Sequence, residues 1–253
     1  MSPAPAPVTV IIPTLNEASH IAAVVASLTW AAEVIVADGG SNDGTPDLAR
    51  RAGARVLTGS WETIAAQRNA AIAAAAHEWV FALDADERVG EALAREISAA
   101  VAAPRHAAYY VRRRNVYLGR VMRFAGWGND LVVRLFRRDQ RFIERRVHEA
   151  LQRQADLGRL PGVLDHVPYR GVSHHIEKID RYATWAAQDL AAAGRRARLT
   201  DILLRPPLRF IRMYTLQLGV LEGWHGALVC GMAAVSVFLK YTRLWELQRE
   251  HHA

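Results

Sequence analysis

Four short apolar runs in the first third of the chain limit what it can fold into. The runs at 8–12, 33–37, 55–57 and 79–83 are rich in β-branched or aromatic residues and too short for helices. Between them, segments 18–28 and 63–76 carry apolar residues at helical spacing. Thr45, Pro46 and Asp47 mark the start of another helix, with a capping hydroxyl, a proline suited to the first turn and an acid at the positive end of the helix dipole. Strand–helix alternation of this kind builds a mostly parallel sheet flanked by helices, an α/β fold. Such sheets bind ligands beyond the carboxyl ends of their strands, and Asp38 and Asp84 both fall at those ends.

The pattern changes after residue 103. Short strands are predicted at 109–114, 131–136 and 141–143, and a helix over 177–198. Pro206 and Pro207 are expected to break the chain before an apolar segment, 208–247. Within that segment Glu222, His225 and Gly219, Gly223, Gly226 and Gly231 argue against a simple membrane-crossing helix. The reading is of helices lying on an anionic leaflet, with Arg205, Arg209 and Arg212 near the headgroups; closure of the core or a dimer contact is the alternative.

The formal net charge is +7, which calls for an acidic counterpart: a phosphate-rich substrate, nucleic acid or an anionic membrane. Arg112, Arg113, Arg114, Arg120, Arg123, Arg134, Arg137, Arg138, Arg145 and Arg146 crowd the middle of the chain. An acceptor carrying phosphates or acidic sugars would explain them, as would a solvated basic face. No nucleic-acid motif accompanies the charge, so nucleic acid is not an expected partner. No Gly-x-Gly-x-x-Gly follows the first strand, which disfavours a dinucleotide-dependent oxidoreductase. Cys230 is the one cysteine; it has no disulfide partner within the chain and reads as a small core hydrophobe. Residues 1–7 lack a signal-peptide pattern and read as a disordered leader on a cytoplasmic protein.

Asp84 and Asp86 stand one residue apart at a strand end, where both can turn toward one oxygen-liganded cation, Mg2+ or Mn2+. Such a metal neutralises a diphosphate leaving group. Here the sequence resembles the family 2 glycosyltransferases of the GT-A fold. The matching segments are 10–17 (VIIPTLNE), 34–45 (VIVADGGSNDGT), 67–69 (QRN) and 83–87 (LDADE), in the family's order and spacing. The resemblance implies a GT-A (Rossmann-like) α/β sheet with a helical, amphipathic C-terminal extension. Pro13, Thr14 and Glu17 would line the nucleoside pocket, Asp38 would bond the base, commonly uracil, and Asp43 would support the turn around it. Arg68 would meet the diphosphate or orient the metal-site acids. Asp84 would contact the ribose or metal, and Asp86 would be the main metal ligand.

Segments 126–130 (GWGND), 134–138 (RLFRR), 147–149 (VHE) and 166–170 (HVPYR) extend the likeness. They point to the bacterial subgroup that contains the lipopolysaccharide and lipooligosaccharide core β-1,4-glucosyltransferases. Glu222 departs from that pattern, which has Asp before the glycine. The resemblance implies inversion by single displacement with Glu149 as general base, Asp130 as second candidate, and Trp127, Asp130 and His148 at the acceptor; Glu149 could instead pair with Arg145, Arg146 or Arg153. A late histidine, His166, would complete the metal site, with His174 and His175 as competitors. The implied donor is a UDP-sugar, UDP-glucose first, and the acceptor a glycolipid or oligosaccharide at the cytoplasmic face of the inner membrane. A polyprenyl-phosphate acceptor is the alternative. The expected organisation is a donor half at 8–103, an acceptor and catalytic half at 104–176 and a helical region at 177–253.

Overall fold

The computed structural model describes residues 4–143, 150–152 and 156–250. Its strands are β1 (Ala6–Thr14), β2 (Ala31–Asp38), β3 (Arg55–Thr58), β4 (Trp79–Ala82), β5 (Glu87–Val89), β6 (Ala108–Tyr117), β7 (Arg120–Val121), β8 (Asp130–Arg137), β9 (Phe142–Ile143), β10 (Ala150–Leu151) and β11 (Leu157–His166). The helices are α1 (Ile21–Ala26), α2 (Thr45–Arg51), α3 (Ile64–Ala74), α4 (Glu91–Ala102), α5 (Val172–Ala192), α6 (Leu199–Ile211) and α7 (Trp224–Glu250). A π-helical turn, Arg212–Leu216, and a 3-10 turn, Gly219–Glu222, join α6 to α7.

The main sheet runs β3-β2-β1-β4-β8-β6-β11-β5, with β7 paired to β6, and β9 and β10 form a separate ribbon. β3, β2, β1 and β4 are mutually parallel; β8 pairs antiparallel to β4, and β5 antiparallel to β11. Period-2 alternation places the side chains of each parallel strand on opposite faces. Val8, Val10 and Ile12 of β1, Val36 of β2 and Trp79 and Phe81 of β4 join one core with α1 and α4. Ile11, Ile35, Ala37, Val80 and Ala82 join the opposite core with α3. Burial on both faces explains why the runs of β1, of β4 and of the second half of β2 are almost wholly apolar.

The first residues differ from expectation, since Ala6 and Pro7 already belong to β1 and Ala6 donates its N–H to the Trp30 carbonyl at 2.7 Å. The start of α2 also differs. Thr45 is its first residue rather than its cap, and the Asp43 carboxylate accepts from the Thr45 N–H (3.0 Å) and hydroxyl (2.5 Å).

The chain divides into two compact units, Met1–Arg113 with Leu131–His166, and Arg114–Asp130 with Val167–Ala253. The expected boundary between 176 and 177 falls inside α5. In the second unit Tyr117, Met122, Ala125, Met213, Val229 and Cys230 form a core. Glu222 is buried there and accepts the N–H of Arg123 (2.6 Å) and Phe124 (2.9 Å) and the Arg120 Nε–H (3.1 Å). Pro206 and Pro207 do not break the chain: both lie inside α6.

Candidate active site

The rim of the first unit is built where β1, β2 and β4 end. Thr14 and Asp38 are register partners at the last positions of β1 and β2. The Gln67 side chain, from α3, donates to the carbonyls of Thr14 (3.0 Å) and Ala37 (2.6 Å), tying the two strand ends together. The loops that follow are knitted to each other. Asn16 donates its N–H to Ser41 Oγ (2.7 Å) and its side chain accepts from Asn42 N–H (3.0 Å). Glu17 N–H meets Thr45 Oγ1 at 2.9 Å, and Ala18 N–H meets Asp43 at 3.0 Å. Pro13 is half-buried at the strand end and Glu17 half-buried in this loop pair.

Asp38 is buried, and its carboxylate accepts four hydrogen bonds from the rim itself. These come from Gly40 N–H (3.1 Å), Ser41 N–H (2.9 Å), Ser41 Oγ (2.6 Å) and Thr14 Oγ1 (3.1 Å). Two bonds to each oxygen fill the acceptor capacity of a carboxylate. In this structure the Asp38 carboxylate organises the turn at the rim. Gly40 takes φ +96° in that turn, a conformation that favours glycine.

The segment after β4 holds the densest charge. Arg68, buried on α3 with its guanidinium 5.0 Å from the Phe142 ring centre, pairs with Asp84. Arg134 enters from β8, whose antiparallel register with β4 continues it to a place two residues before Asp84. Its Nη2 lies 2.7 Å from Asp84 and 2.5 Å from Glu87. Glu87 is fully buried, and its other oxygen accepts the Asp84 N–H at 2.9 Å, closing the turn that carries Asp86. Burial acts to raise the pKa of Asp84, but Arg134 and Arg68 outweigh it and hold the carboxyl well below its usual range. Burial wins at Glu87 and raises its pKa against the pull of Arg134. Burial acts to lower the pKa of Arg134, while Asp84 and Glu87 raise it, so it stays charged. Arg134 is 4% exposed, so it is no part of a basic acceptor surface.

Asp86 is differently placed. Its Oδ1 lies 3.6 Å from His166 Nε2, both side chains partly exposed, because β11 pairs with β5 so that His166 sits opposite Glu87. Among the described residues no group of three or more His, Cys, Asp or Glu side chains converges as a metal cage. One carboxylate and one imidazole do converge, and a cation shared with substrate phosphates needs few protein ligands. This pair therefore fits such a metal, whereas Asp84 is held by arginines.

The competing histidines are engaged in the second unit. His175 is buried, with Nδ1 3.0 Å from the Tyr117 hydroxyl and its ring stacked on Tyr169 at 3.7 Å. Burial lowers its pKa to about 4. His174 Nδ1 accepts the Arg170 N–H at 3.2 Å. Trp127 packs edge-on to Tyr117 at 5.7 Å, and Asp130 accepts from the Asn115 side chain at 3.1 Å. Glu149 and His148 lie outside the described residues, as do Arg145, Arg146 and Arg153. The strand-tying role of Gln67 and the turn-closing role of Glu87 are not legible in the sequence, and Arg134 lies among buried acids, not on a basic face. The available signal for Arg134 was an arginine flanked by Val133 and Leu135 in an apolar strand.

The chain is 27% identical to the lipopolysaccharide core biosynthesis glycosyltransferase LpsC of Rhizobium meliloti, over 93% of each protein. Its fold is similar to that of S. aureus TarS, crystallised with UDP-GlcNAc, with a TM-score of 0.50 over 96% of this chain and 92% of that one at 14% identity. Glucosyl-3-phosphoglycerate synthase from Mycobacterium tuberculosis, crystallised with Mn2+, UDP and glucosyl-3-phosphoglycerate, aligns over 43% of this chain and 44% of its own, with a TM-score of 0.38 and 22% identity. The chain thus spans less than half of that enzyme. Residues 9–153 match the family described as Glycosyl transferase family 2, which covers more than half of the sequence, and the chain belongs to that family.

Proposed function

We propose that this glycosyltransferase moves a hexose, glucose first, from a UDP-sugar to a lipopolysaccharide core-type acceptor with inversion at the anomeric carbon. The likeness to LpsC along nearly the whole of both chains supports the acceptor class. The observation that carries the chemistry is the approach of Asp86 to His166 beyond the sheet's carboxyl ends. In this reading these two side chains would hold a divalent cation, Mg2+ or Mn2+. When bound, that cation supplies positive charge to the departing diphosphate.

The chain's own residues supply the rest. Pro13, Thr14 and Glu17 line the nucleoside site, in a wall shaped by Asp38 and Asp43. Arg68 and Arg134 fix the Asp84 carboxylate beside the turn that presents Asp86. A carboxylate takes the proton of the acceptor hydroxyl as that oxygen attacks and the bond to the diphosphate breaks. Glu149 is assigned that role, with Asp130 as second candidate, and Trp127 and His148 meet the acceptor.

Calorimetry with UDP and Mn2+ on Asp86→Asn and His166→Gln tests the metal pair. Each variant is expected to keep the wild-type circular dichroism and to weaken Mn2+-dependent UDP binding at least tenfold, with turnover falling by more. Wild-type Mn2+ dependence in both would remove the pair from the mechanism. A panel of UDP-sugars against core oligosaccharide and polyprenyl phosphate then fixes donor and acceptor.

A further inference from the structure

The second unit displays an apolar face that a soluble surface does not need. On α6, Leu199, Leu203, Leu204, Leu208 and Ile211 are between 53% and 64% exposed. The π-helical turn that follows adds Leu216 at 80% exposed, and the first residue of α7, Trp224, is 62% exposed. Contiguous exposure of large apolar side chains on this scale marks an interaction surface. Ile202, Phe210 and Met213, on the opposite side of the same segment, are buried or half-buried, so the exposed leucines are not the helix's packing face.

The charges beside this face are mostly positive. Arg205, Arg209 and Arg212 recur at i, i+4 and i+7 along one flank and are all exposed. The two acids of the segment are already engaged: Asp201 accepts from Arg205 Nε at 2.6 Å and from the Arg198 N–H at 2.9 Å, and Glu222 is buried under Arg120, Arg123 and Phe124. The outward charge is therefore positive. An apolar strip with an arginine flank matches the headgroup and upper acyl layer of an anionic membrane.

We infer that α6 and the turns to Trp224 form an in-plane membrane-docking face. This goes beyond the proposed reaction and uses none of the residues assigned to it. Two observations favour the interfacial layer over a crossing of the bilayer. Pro206 and Pro207 lack the amide hydrogens that would meet the carbonyls of Ile202 and Leu203, and an interfacial layer offers such carbonyls water and headgroup partners. Trp224–Arg249 is long and apolar enough to cross a membrane by length and composition, but α7 is bound into its own unit. Arg243 donates to the Asp180 carboxylate and carbonyl and to the Thr184 hydroxyl of α5, and Leu244 is buried with Ala187 and Ala197. Gly226 lies so close to the 3-10 turn that an added Cβ would stand 1.9 Å from the Gly219 carbonyl oxygen.

Vesicle flotation at moderate ionic strength tests this, using phosphatidylcholine alone and phosphatidylcholine with one-third phosphatidylglycerol. The full chain is expected to float with the anionic vesicles. Leu204→Glu/Leu208→Glu should lower the bound fraction at least tenfold, and Arg209→Ala/Arg212→Ala should remove the preference for anionic lipid; both change exposed positions and should retain wild-type melting and UDP binding. Brominated lipids should quench the other tryptophans no more in Trp224→Phe than before, and should quench Trp224 best when the bromine is shallow. Absence of vesicle binding, quenching deepest at the bilayer centre, or a dimer in solution that Leu204→Glu/Leu208→Glu converts to monomer would each overturn the inference. UDP binding is read in the same samples, so failure of the donor-site reading is separable.

Discussion

At the residue scale, Arg134 governs two carboxylates with one nitrogen. Removing one partner of a buried ion pair leaves an uncompensated charge and costs about 3–5 kcal/mol, whereas removing both can be nearly neutral. Arg134→Met is therefore expected to lower the denaturation midpoint sharply. Glu87→Gln keeps an acceptor for the Asp84 N–H and removes the buried charge, so Arg134→Met/Glu87→Gln should regain about 1–3 kcal/mol relative to Arg134→Met alone. Urea denaturation of the four proteins checks this; strictly additive effects would show that the pair is not coupled. The recovered stability should not restore turnover, because Asp84 would still lack its second guanidinium. The acid pair itself was legible in the sequence, since Asp84 and Asp86 follow an apolar run directly. Arg134 was not, because it reaches Asp84 only through the β4–β8 register, 50 positions away in the chain.

At the element scale, α5 carries a histidine kept neutral by its packing. An unperturbed histidine titrates near 6.5, and burial lowers His175 to about 4. The folded state thus binds fewer protons than the unfolded one between these values. Its contribution is complete above about pH 6.5 and is lost as pH falls toward 4, a loss of about 3 kcal/mol. Denaturation between pH 7 and pH 4 should show a shallower acid decline in His175→Gln than in wild type, and equal slopes would rule out His175 as the titrating group. The helices also show where local rules fail. The start of α5 at Val172 precedes the expected start at 177, because residues 172–176 include polar and exposed positions that weaken the periodic signal. The proline pair was read as a break, yet α6 continues through it, with Ile202 buried and Arg205 paired to Asp201 one turn back. Proline in a helix interior is costly, and α6 tolerates it on a segment most of whose surface is exposed.

At the scale of the whole molecule, the parallel half of the sheet was readable because its strands are consecutive and mostly apolar. The division into units was not, because the second unit is assembled from two stretches, 114–130 and 167–253, separated by β8 to β11. No local composition marks that return. The two cores of the sheet draw all their residues from the first unit, whereas Tyr117, Met122 and Ala125 share a core with Met213, Val229 and Cys230. A fragment ending at His166 is therefore expected to retain a cooperative thermal transition and its strand content while leaving 114–130 without a core. Trypsin distinguishes the two regions. In the full chain the N–H groups of Arg123 and Phe124 are held by Glu222, so cleavage after Arg120 and Arg123 should be slow. In the fragment those sites should be cut at least tenfold faster, while the sites in α2 and α3 remain as protected as before. Loss of the cooperative transition would show instead that the sheet cannot stand without the second unit, and the autonomy of its two cores would have to be abandoned.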